Sequence, residues 1–304
     1  MTSKYIRTDS DIKKAVADWC RERATAMVEY GHISKWNTSL VTNMKELFYL
    51  KDNFNDDISK WDVSNVKDMK EMFGSSDFDG DISKWNVSNV TCMVRMFHYA
   101  KNFKGDISKW DVSNVTTMNS MFERAETFNS DISEWDVSKV TSMNSVFSFA
   151  FSFNSDISKW NLSNVTDIGR MLSHTSFNGD VSKWDVSNVT TMCQVFSSAK
   201  KFNCDISNWN VSNVKNMSYF FCYAEKFNCN ISNWDVSNVK SMDFMFAYAK
   251  SFNCDLSKWD VSNVTQMEDT FKDAYSFDKN VIKDWNVSNV VPNKKVWRPH
   301  AGRM

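Results

Sequence analysis

Two columns of aspartates offer the first chemistry in this sequence. Asp57, Asp81, Asp106, Asp131, Asp156, Asp180, Asp205 and Asp255 recur ahead of a branched apolar residue, and Asp62, Asp111, Asp136, Asp185, Asp235 and Asp260 follow a Trp. Carboxylates stacked at a fixed repeat repel, and a bound cation such as Ca²⁺ would relieve that repulsion. Against a metal row, Asn37, Asn86, Asn161, Asn210 and Asn286 dilute the charge at the post-Trp position. Lys60, Lys84, Lys109, Lys159, Lys183 and Lys258 precede the Trp and can pair with the carboxylates. The Gly-rich repeat of calcium-binding β-helices is also missing. The expectation is a structural Asp/Asn ladder with no metal and no cofactor.

Cys204, Cys229 and Cys254 share one repeat position within a total of seven cysteines, an odd number without a C-x-x-C pair. Three stacked thiols cannot all pair, so reduced structural cysteines are expected, as in a cytosol. The Ser-Asn pair, as at Ser64-Asn65 and Ser113-Asn114, recurs in nearly every unit, with Lys139 replacing Asn once. It is expected to close a turn through side-chain-to-backbone hydrogen bonds. His32, His98, His174 and His300 are scattered, and no phosphate loop or dinucleotide turn occurs. The residues therefore point away from an enzyme.

These columns exist because the chain is periodic. Trp36, Trp61, Trp85, Trp110, Trp135, Trp160, Trp184, Trp209, Trp234, Trp259 and Trp285 are separated by 24 to 26 residues. Such a period marks a tandem array and not two ordinary domains, although 304 residues would accommodate two. Ile107, Trp110, Val112 and Val115 have the spacing of a leucine-rich-repeat core, predicting a short strand with Trp110 and Val112 on its inner face. Met118, Met121, Phe122 and Ala125 recur at three and four residues, predicting a short helical segment. Parallel strands about 4.8 Å apart would stack into a ladder on the order of 50 Å long, with a Trp column as one core wall and Met and Phe columns as the other. Two units, at 72–78 and 171–177, are a residue shorter, in what is expected to be a surface connector.

The ends differ from the array. Residues 9–30 read as one amphipathic helix with Thr8 and Asp11 as a capping pattern, Ile12, Val16, Trp19, Met27 and Tyr30 as its apolar face, and Gly31 as its stop. The expected organisation is an N-terminal capping helix at 1–32, repeats at 33–290 and a C-terminal partial cap or tail at 291–304, held through Trp297. The expected fold class is an α/β solenoid: a leucine-rich-repeat-like curved stack of parallel short strands and short helical segments with an N-terminal helical cap.

The unit F-N-x-D-I-S-x-W-D-V-S-N-V-T-x-M-x-x-M-F-x-x-A, over about residues 33–290, resembles the BspA-like leucine-rich repeat. The opening KKAVADWC…EYGHISKWNTS is similar to that family's lead-in helix. The resemblance implies a leucine-rich-repeat-like fold and a role in binding or surface display.

Function is expected to sit where the repeat varies. One column reads Ser75, Tyr99, Arg124, Phe149, His174, Ser198, Tyr223, Tyr248 and Asp273. Within it and beside it, Tyr219, Tyr223, Phe244 and Tyr248 are the candidate binding residues, because clustered exposed aromatics mark interfaces. Phe220 and Phe221 lie alongside in sequence. A net charge of -1 gives no electrostatic case for nucleic acid or anionic membrane, and no apolar run reaches membrane-spanning length. The first twenty residues lack the apolar run of a secretory signal. The expectation is a non-catalytic scaffold for an unknown protein partner, cytoplasmic, with an exported adhesin-like protein as the alternative.

Overall fold

The computed structural model describes residues 3–291. The N-terminal region carries β1 (Ile6–Thr8), α1 (Ile12–Arg21), α2 (Arg23–Tyr30) and β2 (Asn37–Leu40), with β1 and β2 paired in parallel. The expected single helix is thus two. Glu22, at φ -139 and ψ 74, interrupts it, and the break rotates the apolar face. Ile12, Val16, Trp19 and Tyr30 are buried as expected, but Ala26 takes the inward place assigned to Met27, which is 39% exposed. Asp11 Oδ1 accepts the Thr8 amide at 2.7 Å, one half of a capping box, while Asp11 makes no side-chain bond to the helix it precedes. Gly31 ends α2 at φ 73, and a Cβ there would lie 2.2 Å from the Tyr5 ring, so no other residue fits. Of the expected C-terminal partial cap or tail at 291–304, residues 292–304, Trp297 among them, lie outside the described residues.

The expected α/β solenoid of strands and helical segments is not what forms. Among the described residues both α-helices and both strands lie before residue 41. The repeats are successive turns joined to their neighbours by isolated parallel bridges such as Asn43–Asp68, Asp68–Cys92 and Cys92–Thr117. The physical reason is where the amides go. In the unit at 106–115, Ser108 N–H donates to Asp106 Oδ1, Trp110 N–H to the Ile107 carbonyl, Ser113 N–H to Asp111 Oδ1 and Val115 N–H to the Val112 carbonyl. Local turns claim the donors that a strand would offer its neighbour. Trp110 and Val112 are still buried and Asp111 exposed, so the inward and outward alternation holds without a strand.

The segment read as helical fails for a different reason. Ser120 and Arg124 have φ of 56 and 60, and the same two positions are left-handed from Glu46 and Leu50 through Asp269 and Asp273. A right-handed helix needs φ near about -63 throughout, so a left-handed residue at every fourth position excludes it. The amides there alternate. Ser120, Phe122 and Arg124 donate across to the carbonyls of Asn144, Val146 and Ser148 at 2.8, 2.9 and 2.8 Å. Met121, Glu123 and Ala125 donate back within the unit to Met118, Ser120 and Phe122. The three-and-four spacing of Met118, Met121, Phe122 and Ala125 therefore reflects two turns in series, all four side chains pointing into the core.

Side chains bind the layers together. Each Trp indole N–H from Trp61 to Trp285 donates to the carbonyl of the branched residue one layer back, as Trp110 to Ile82 at 3.1 Å and Trp209 to Val181 at 2.9 Å. Trp rings stack on one another at Trp36–Trp61 and from Trp184 to Trp285, and elsewhere they pack on the Phe columns. Within a layer the paired Phe rings lie face to face, with Phe122–Phe128 at 3.8 Å. In the two shortened units Ser76 and Thr175 stand where longer units have Ala. Their hydroxyls donate to the carbonyls of Phe73 and Leu172 at 2.9 and 2.7 Å, as the Ala amide does elsewhere.

The left-handed positions give a direct test. Ser75→Val is expected to lower stability by about 1–2 kcal/mol, while Ser75→Gly changes it by less than about 1 kcal/mol. Urea unfolding of both variants measures the order. A helix would reverse it, because glycine there costs more than valine.

Candidate functional site

The aspartate columns act on their own turns. Asp57 Oδ1 accepts the Ser59 amide and hydroxyl at 2.9 and 2.6 Å, and Asp62 Oδ1 does the same for Ser64. Asn86 and Asn210 do this equally well, which explains why Asp and Asn exchange at that position: one side-chain oxygen is all that is required. Among the described residues no His, Cys, Asp or Glu side chains group into a metal site. The Lys residues ahead of the Trp act on the columns through space, Lys60 on Asp57 and Lys84 on Asp81, and not by close ion pairing with them. Of the six, Lys159 forms an ion pair, and it is with Glu134 at 2.6 Å. Serine hydrogen bonds hold Asp57, Asp81, Asp180 and Asp185 below the ordinary carboxylate pKa.

The Ser-Asn pair divides its work: Ser64 and Ser113 close their own turns onto Asp62 and Asp111, as expected, while the Asn reaches the layer before it. Asn89 Nδ2 donates to the Ser64 carbonyl at 2.7 Å and Asn114 Nδ2 to that of Ser88 at 2.8 Å. Lys139, the exception, reaches Asn114 Oδ1 at 2.6 Å instead. A second asparagine ladder had no reading in the sequence, although F-N recurs in the unit: Asn154, Asn178, Asn203 and Asn228 each pass an Oδ1 to the amide of the next layer.

All seven cysteines are free. Cys204, Cys229 and Cys254 accept the amides of Val181, Ile206 and Ile231 through Sγ, the place Ser130 fills by accepting from Ile107. Burial raises their thiol pKa values, to about 11 at Cys229. These thiols are structural acceptors.

Chemical variety is confined to one face. The two residues after each inward Met and the two after the Met-Phe pair make up this face; the larger of them are partly exposed, small ones such as Ser120, Ser145, Ser148 and Ala247 are buried, and the left-handed positions supply one of each two. Tyr219, Tyr223, Phe244 and Tyr248 all have positive φ, and they meet as two stacked pairs: Tyr219–Phe244 at 4.8 Å and Tyr223–Tyr248 at 4.2 Å. Tyr223 is 41% exposed and the other three are half-buried. Phe220 and Phe221 point into the core. The sequence placed Tyr99, Arg124, Phe149 and His174 in the same column but did not reveal that they too stack. The Arg124 guanidinium lies over Phe149 at 4.2 Å and Tyr99 at 5.0 Å, and Phe149 stacks on His174 at 4.0 Å. Burial, then the Arg124 charge, lowers the His174 pKa, so this ring is neutral at pH 7. Burial likewise lowers that of His98, against the pull of Glu123 at 3.8 Å.

The chain matches the family described as "Mycoplasma protein of unknown function, DUF285" over residues 15–129, 74–175, 103–209, 172–233 and 204–300. It belongs to that family. The overlapping matches repeat the family pattern along the chain, as the Trp spacing does, so this is a repeat-containing protein from its capping helices onward. No curated protein and no solved structure matches the chain significantly. None of its described helices is long and apolar enough to cross a membrane.

The serine-held aspartates set the pH response. Their folded pKa values lie below the ordinary 3.8, so their contribution is present above that value and is lost as pH falls through the lower folded values. Thermal unfolding monitored by Trp fluorescence is expected to hold a plateau from neutral pH to about 5 and to fall steeply below about 4. Millimolar Ca²⁺ is expected to leave the midpoint unmoved, because Oδ1 of each column carboxylate is held by its own turn and, among the described residues, these side chains do not converge on a metal site. A chelator-reversible rise would assign them to metal.

Proposed function

We propose that the protein is a non-catalytic repeat scaffold that binds a partner protein through its variable outer face. The observation that carries this reading is the coincidence of sequence variety with backbone strain. Two non-glycine residues per layer are held left-handed, each costing roughly 1 kcal/mol, and they lie in the stretch of the unit where side chains differ from layer to layer, with Tyr99, Phe149, Tyr219, Tyr223, Phe244 and Tyr248 among them. Stacked aromatic pairs among them supply rigid, partly exposed rings of the kind that anchor protein interfaces. The remaining outward columns are committed to turns and ladders and offer little to tell one ligand from another.

The resemblance of the repeat to the BspA-like family is in keeping with a binding role, and kinship to that family is part of the proposal. We place the protein in a reducing compartment. Seven free cysteines support this, since paired thiols are the rule in oxidising ones. The alternative, display on a surface as an adhesin, rests on the BspA-like resemblance, and protease shaving of intact cells decides between them.

The face itself is tested by Tyr223→Ser combined with Tyr248→Ser. Affinity capture with the intact chain is expected to recover a specific partner, and the double variant to lose it by about tenfold or more in affinity. The thermal midpoint of the variant should stay close to that of the parent. Capture that is indifferent to these rings would remove the face from the proposal.

A further inference from the structure

We infer that the shortened unit at 171–177 forms a docking notch for a peptide segment of a partner protein that carries an aromatic side chain beside acidic residues. This rests on the binding role proposed above and adds a second site to it, along with the chemistry of its ligand. Between the inward Ala or Thr and the next core Phe, the neighbouring layers have two residues, Phe151-Ser152 and Lys200-Lys201, whereas this layer has Ser176 alone. Thr175 keeps the turn closed through its hydroxyl to Leu172, so the connector takes a shorter path without disturbing the core beneath.

The missing residue leaves a cavity of about 350 Å³ bounded by Phe151, His174, Ser176, Ser198, Lys200 and Lys201. One side is aromatic. Phe151 is 48% exposed and meets Phe149 edge-on at 6.2 Å, and Phe149 stacks on His174. His174 Nδ1 is engaged with Ser173 Oγ at 2.8 Å, which fixes the ring against Phe149 so that it adds aromatic surface to this side. The outer row is also broken here. Ser198 stands between His174 and Tyr223 where the adjoining layers carry rings, leaving space for one from outside. The other side is cationic. Lys200 pairs with Glu225 at 3.4 Å, and Lys201 has no carboxylate within ion-pair reach among the described residues. An apolar recess with a cationic rim complements a ring followed by acidic residues.

The test is fluorescence anisotropy of the full chain with a labelled Gly-Ser-Phe-Asp-Glu-Ser-Gly peptide. Versions with Ala for Phe, and with Lys-Lys for Asp-Glu, serve as comparisons. Saturable binding is expected, weakened about tenfold or more by either peptide change, by Phe151→Ser and by Lys201→Glu. Inserting one lysine between Thr175 and Ser176 restores the ordinary connector length, and it should abolish binding while leaving the thermal midpoint nearly unchanged. Absence of saturable binding, or binding indifferent to Phe151→Ser and to the insertion, overturns the notch. Free N-acetylphenylalanine competing as well as the peptide would also overturn it, assigning the recess to a small aromatic acid. Binding lost only in the Tyr223→Ser, Tyr248→Ser variant overturns the notch but leaves the outer face standing as the recognition surface.

Discussion

The indole N–H of each repeat tryptophan from Trp61 to Trp285 reaches back to a carbonyl one layer earlier, and the arrangement of the rest of the repeat array follows from that link. A unit built from successive turns spends many of its own amides internally, so its inner half cannot be held to its neighbours as strands are. The Trp bond restores that connection at a buried place where an unpaired donor would be costly, and the same ring fills the core. On the other half of the layer the alternating amides of the left-handed segment complete the stack. Asparagine ladders at two further positions fix the register at the rim.

Much of this organisation could be read from residue spacing alone. The Trp period located every layer, the buried positions of the unit were named correctly, and the Asp/Asn exchange pointed to a structural role that the side-chain oxygens perform. Secondary structure could not be read in the same way. Ile107, Trp110, Val112 and Val115 have the spacing of a leucine-rich repeat, but periodicity reports which residues face inward and not how the backbone between them runs. The Asp106-Ile-Ser108 and Asp111-Val-Ser113 triplets, which commit two amides per unit to turns, were the signal that favoured turns over a strand. Left-handed backbone at Ser120 and Arg124 carries no such signal, since neither residue type prefers it.

The candidate site was legible in part. Tyr219, Tyr223, Phe244 and Tyr248 do meet, in pairs that a one-layer separation makes inevitable for side chains at equivalent positions. Tyr99, Arg124, Phe149 and His174 stood in the same variable column, but they were not among the candidate residues because they are chemically unlike, and only geometry unites an arginine, a phenylalanine and a histidine in one stack.

The direction of the indole bond also bears on how the chain is made. Because each repeat Trp from Trp61 to Trp285 donates to a carbonyl that precedes it in the sequence, each of these layers meets, on leaving the ribosome, an acceptor that is already in place on the layer before. Growth can proceed from the capping helices outward, one unit at a time, with the most recent layer alone left uncovered. An array polarised in this way is suited to vectorial assembly during synthesis, whatever number of units it contains.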